Sequence, residues 1–135
     1  MIVAIVQARM NSKRLPGKVL LPVNGVPVID YVFSRVRSVK EINKVVLATT
    51  TNGDDDPLIE FAENNSVSYF RGSENDVLER FYLCALQEKA DYIMRITSDC
   101  PLIDPSICSH LIKVYKMMDV DYVNTGSSFA EGLDC

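Results

Sequence analysis

Apolar residues follow two spacings along this chain. The runs Met1–Val6, Lys44–Thr50 and Tyr92–Thr97 are short and mostly apolar, which predicts buried strands. Val67–Phe70 predicts a further short strand, and Asp121–Asn124 a last one. Between these runs apolar residues recur every three or four positions. Ile29, Val32, Phe33 and Val36 predict a helix with Pro27 in its first turn and an end near Lys40. Asp54-Asp55-Asp56-Pro57 opens a second helix, with Asp56 as the cap and Pro57 at the first helical position. Val77, Leu78, Phe81, Cys84 and Ala85 mark a third helix running to Lys89, and Ser73 with Asp76 has capping-box spacing ahead of it. Asp104-Pro105 starts a fourth, with Ile107, Leu111, Val114, Tyr115 and Met118 as its stripe and its methionines as core filler. Val19–Val23 is an apolar run closed by the turn pair Asn24-Gly25.

Strand and helix alternate throughout. That pattern predicts an α/β fold, a mostly parallel sheet in three α/β/α layers, as one domain over residues 1–135. Composition agrees, with 47% hydrophobic and 24% charged residues. A net charge of −4 argues against a nucleic-acid or anionic-membrane binder. No apolar run reaches membrane-spanning length and no cleavable leader opens the chain, so the expected location is cytoplasmic. The four cysteines show no Cys-x-x-Cys spacing and read as reduced thiols. With one histidine, His110, there is little for a His-based triad or a zinc site.

One stretch stands against this acidic background. Ala8-Arg9-Met10-Asn11-Ser12-Lys13-Arg14-Leu15-Pro16-Gly17-Lys18 puts four cations in a loop after the first strand. Open α/β sheets bind ligands outside the strand C-termini, and clustered cations there suit a nucleoside triphosphate. The spacing fits neither a Walker A loop nor the dinucleotide glycine fingerprint, so side chains would hold the phosphates. A solvated basic loop is the other reading. Asp99, just past the strand at Tyr92–Thr97, has two readings as well: a turn former before Pro101, or a ligand for Mg²⁺. The triple Asp is explained by capping and the helix dipole without a metal.

Gln-Ala-Arg-x-x-Ser-x-Arg-Leu-Pro-Gly-Lys, at Gln7–Lys18, resembles the signature of the cytidylyltransferases that activate acidic sugars, the CMP-sialic-acid and CMP-Kdo synthetases. The likeness is greatest to their spore-coat-polysaccharide (SpsF-like) relatives. Arg-Gly-Ser-Glu-Asn-Asp-Val-Leu-Glu-Arg at 71–80 and Thr-Ser-Asp-Cys-Pro-Leu-Ile-Asp at 97–104 match the same subgroup. The resemblance implies a Rossmann-like nucleotidyltransferase fold and transfer of CMP from CTP to an acidic sugar, with release of pyrophosphate. It implies nucleotide contacts from Ala8, Arg9, Ser12, Arg14, Lys18, Arg71, Ser73, Asp76 and Thr97. Arg14 and Lys18 would matter most for rate, and Asp99 would hold Mg²⁺. Members of the subgroup are longer, and they carry a dimerisation element, much of the acceptor site and a second metal carboxylate beyond the equivalent of this chain. Here only Asp134, in Gly132–Asp134, approximates that carboxylate. The expectation is therefore a C-terminally truncated chain, with room for a homodimer and an exposed sheet edge. A catalytically silent nucleotide-binding remnant is the alternative.

Overall fold

The structure, a computed structural model, describes residues 1–126. The loop expected at Ser127–Gly132, and Asp134, lie outside the described residues. In chain order the elements are β1 (Ile2–Gln7), β2 (Pro22–Val23), β3 (Val26–Pro27), α1 (Val28–Arg37), β4 (Lys44–Thr50), α2 (Asp56–Asn64), β5 (Ser68–Gly72), α3 (Val77–Gln87), β6 (Tyr92–Thr97) and α4 (Pro105–Met117).

β5, β4, β1 and β6 form a parallel sheet in that spatial order. β1 lies between β4 and β6, and its first five residues are buried, which is why its sequence is apolar without alternation. Ile2, Ala4 and Val6 face one layer, where α1, α2 and α4 supply Ile29, Phe33, Leu58, Ala62, Cys108 and Ile112. Val3 and Ile5 face the other, where α3 supplies Phe81 and Cys84. The three-layer parallel architecture is the one expected. No helix among the described residues is long and apolar enough to cross a membrane.

Several local expectations are corrected. Asp121–Asn124 forms no strand: no neighbour among the described residues offers it a ladder, and the segment is irregular. Val19–Val23 is not one element. A 3-10 turn at Lys18–Leu20 leads into a two-stranded antiparallel ribbon, β2 with β3. Asn24 and Gly25 both take positive φ, 52° and 81°, as a two-residue hairpin turn demands. Pro27 therefore ends β3 and caps α1 from outside instead of sitting in its first turn. α1 stops at Arg37, short of Lys40. α4 buries Cys108 and Ile112, one position on from the expected Ile107–Leu111 row. Its methionines are surface residues, 87% exposed at Met117 and 54% at Met118, because they fall past the core-facing side of the helix.

Candidate functional site

The strand order reverses at β1: the chain runs outward through β4 to β5, then crosses back to β6 on β1's other side. Ligands of open α/β sheets bind outside the strand C-termini at such a switch point. Two loops meet there, the basic loop after β1 and the segment after β6. Lys18 Nζ donates to Asp99 Oδ2 across that crevice. The hydrogen-bonded ammonium holds the Asp99 carboxyl below its ordinary range, and partial burial opposes the shift.

The basic loop is built, not loose. Ala8 is buried and its N–H donates to the Ala48 carbonyl at 3.1 Å, extending the β1–β4 ladder. The Met10 carbonyl accepts from Ser12 N at 2.9 Å and Gly17 N at 2.8 Å, which folds the loop on itself. From outside, Asp55 Oδ1 accepts from the Met10 N–H at 2.6 Å, and Asp54 Oδ2 accepts from Asn11 Nδ2 at 2.9 Å. Arg9, Lys13 and Arg14 are left exposed, while Ser12 and Lys18 are half-buried.

The three aspartates thus have three tasks, and the expected cap is displaced by one residue. Asp55, not Asp56, holds the cap position of α2, and its side chain makes no capping bond. It is 2% exposed and accepts instead from Met10 N and from Thr50 Oγ1. Asp56 is the first helical residue and pairs with Arg71 at 2.8 Å. Arg71 also donates to the Thr50 and Asn52 carbonyls at 2.8 and 2.7 Å, so its fork fastens the 50–56 loop. Asp76, not Ser73, is the cap of α3: Asp76 Oδ1 accepts from Glu79 N at 2.8 Å, and Ser73 Oγ from Asp76 N at 3.0 Å. Thr97 is exposed and donates its hydroxyl hydrogen to Cys100 Sγ at 3.2 Å.

Among the described residues, those singled out for the site stand at the C-terminal edge of the sheet, on its loops or, for Arg71 and Thr97, at the ends of β5 and β6, and the structure brings Lys18 and Asp99 into contact. Two buried ionic residues were missed. Asp55 was hidden in a run that capping explained. Arg80 is 1% exposed on the core side of α3, where Leu78 was expected; Leu78 is 80% exposed. The signal was there, since Val77, Arg80, Phe81 and Cys84 are spaced i, i+3, i+4, i+7.

Asp99 suits a hard cation. Its carboxylate is ionised, and its side chain is 41% exposed. Mg²⁺ takes one or two carboxylates and completes its shell with phosphate and water. No group of three or more His, Cys, Asp or Glu is poised for a metal among the described residues. Any metal here would thus share Asp99 with a ligand's oxygens. A hollow of about 280 Å³ at the opposite sheet edge, lined by Arg37 and Lys44 among others, is a poorer anion site. Lys44 is paired with Glu88 there, and Arg37 lies over Phe33.

Fold and crevice define a doubly wound α/β protein whose ligand edge carries a lysine–aspartate pair between a basic loop and the segment after β6. Residues 3–131 match the model of the cytidylyltransferase family, and the chain belongs to that family. It is 37% identical over 125 residues to the spore coat polysaccharide biosynthesis protein SpsF of Bacillus subtilis, covering 90% of this chain and 52% of that one. It is 29% identical over 122 residues to an 8-amino-3,8-dideoxy-manno-octulosonate cytidylyltransferase of Shewanella sp., covering 85% of this chain and 47% of that one. A solved cytidylyltransferase from Leptospira borgpetersenii superposes with a TM-score of 0.92 at 35% identity, over 98% of this chain and 58% of that one. The chain spans about half the length of the curated relatives it matches.

Proposed function

We propose that this chain is the nucleotide-binding part of a cytidylyltransferase that transfers CMP from CTP to an acidic sugar for surface polysaccharide synthesis. The observation that carries this reading is the Lys18–Asp99 pair at the switch point, in a chain of the cytidylyltransferase family. In the reaction an acceptor hydroxyl oxygen bonds to the α-phosphorus as the bridge to the β-phosphate breaks, pyrophosphate departs, and the hydroxyl proton passes to water. Such a transfer asks for alignment and for neutralisation of charge on the phosphate oxygens.

Arg9, Arg14 and Lys18 take the triphosphate, with Arg14 and Lys18 contributing most to rate. Ser12 and the loop N–H groups add hydrogen bonds. Arg71, Ser73, Asp76 and Thr97 border the cytidine, and Ala8 contacts the nucleotide from the loop. Asp99 would hold Mg²⁺, which when bound supplies positive charge beside the transferring phosphate. Lys18 leaves Asp99 for the phosphates once a nucleotide enters. The acidic sugar acceptor follows from the named activity of the Shewanella relative.

Calorimetric titration with CTP and Mg²⁺, beside ATP, GTP and UTP, tests the reading. CTP should bind selectively, and Lys18→Ala should weaken it by about tenfold or more, as loss of a charged hydrogen bond implies. No binding of any triphosphate overturns the proposal. CTP binding without turnover, over a panel of keto-sugar acids, would instead identify a silent nucleotide-binding module.

A further inference from the structure

Of the four cations in the basic loop, Lys18 alone is ion-paired among the described residues; Arg9, Lys13 and Arg14 stand exposed. Its partner Asp99 comes from the far side of the switch point, and the backbones of both are pinned. Gly17, at φ 70°, turns the chain into Lys18–Leu20. The Lys18 N–H donates to the Leu15 carbonyl at 3.3 Å, and the Leu21 N–H to the Lys18 carbonyl at 3.2 Å. Beside Asp99, the Ser98 N–H donates to the Gln7 carbonyl at 3.1 Å, which ties the segment after β6 to the end of β1. Both side chains, in contrast, are partly exposed. The pair can therefore open by side-chain rotation alone, with the loops in place.

An exposed ion pair contributes little to stability. Its consequence for ligands has a definite sign. A hard cation needs the Asp99 carboxylate, and phosphate oxygens need the Lys18 ammonium. Each residue thus stands in for the other's ligand: the ammonium for a metal ion, the carboxylate for a phosphate.

We propose that the Lys18–Asp99 pair is a latch that closes the site to either ion alone and so couples a divalent cation to a polyphosphate. A cation that takes Asp99 must displace the Lys18 ammonium. A polyphosphate that takes Lys18 must leave Asp99 as an unpaired charge beside its own. Together the two ions satisfy both residues, so each strengthens the other by the same factor. The identity of the polyphosphate as a nucleotide rests on the function proposed above; the latch is tested without it. For a partly exposed pair, the latch should lower the affinity for each lone ion by about twofold to fivefold.

The test presents each ion alone. Mn²⁺ is read by paramagnetic broadening of the Asp99 amide signal, and inorganic tripolyphosphate by calorimetry without metal. Lys18→Met should let Mn²⁺ broaden Asp99 at a concentration lower by about twofold to fivefold. Lys13→Met, which removes a loop cation outside the pair, should do less. Asp99→Asn should strengthen tripolyphosphate by a similar factor, although it removes the carboxylate assigned to the metal. Asp54→Asn, which removes an acid hydrogen-bonded to the same loop, should not. An unchanged affinity in either pair variant, or an equal gain in its control, overturns the latch. So does the absence of broadening at Asp99 in every variant. If Asp99→Asn does not fold, the Lys18→Met arm decides. Both gains together with failure of the unmodified chain to bind CTP would overturn the nucleotide reading and leave the latch standing.

Discussion

Lys18 and Asp99, 81 positions apart, meet because parallel strands deliver their following loops to one edge. Their contact makes a testable statement about charge. The Asp99 carboxyl is depressed in the folded chain by the Lys18 ammonium, so its stabilising contribution is present above its ordinary value near 3.8. That contribution is lost as pH falls through the lower folded value. With Asp99 41% exposed, solvent screening keeps it small. Lys18→Met should therefore move the Asp99 titration upward, as read from its carboxyl carbon shift by NMR, with little change in the urea midpoint at neutral pH. An unmoved Asp99 titration would mean that the pair does not exist in solution. Both residues were legible in the sequence through the motifs around them. Asp55 and Arg80 were missed: capping offered Asp55 a surface role, and Arg80, although at core spacing with Phe81 and Cys84, carries a charge whose burial is decided by tertiary neighbours.

Each helix was legible as an element, and the errors lay at its ends and in its rotation. α2 and α3 both close with a left-handed residue that is not glycine, Ser66 at φ 52° and Lys89 at φ 53°. The Val67 and Ala90 N–H groups then reach back to the Ala62 and Ala85 carbonyls at 2.8 and 3.0 Å. Without glycine as a marker, the end of α3 was placed late, at Lys89. A left-handed conformation costs a side-chain-bearing residue about 1–2 kcal/mol, partly offset by the greater unfolded freedom of glycine. Lys89→Gly should accordingly raise stability in urea by up to about 1 kcal/mol at an unchanged m-value. A loss of stability would show that the lysine side chain holds the helix end. The rotation error on α3 put Leu78 inside, and the apolar count alone could not choose between Leu78 and Arg80.

At the level of the molecule, the parallel sheet and its layers followed from strand–helix alternation, which depends on few residue details. The missing last strand did not, because pairing needs a partner that a single segment cannot announce. β6 pairs only with β1 among the described residues, and Tyr92 and Ile93 on it are 46% and 48% exposed. An open edge with apolar side chains invites pairing between copies. Light scattering should thus give a mass that rises with concentration, and Ile93→Lys should lower it; a concentration-independent monomer would refute this. The same ladder has a consequence for how the chain comes into being. β1 is made first, yet its pairing with β6 joins residues 90 positions apart, fastened at the start by Met1 and Asp91. Contacts of such separation close late. On the ribosome, β1 must wait through the synthesis of three helices before its second neighbour emerges, and the crevice between Lys18 and Asp99 opens for business only with that final closure.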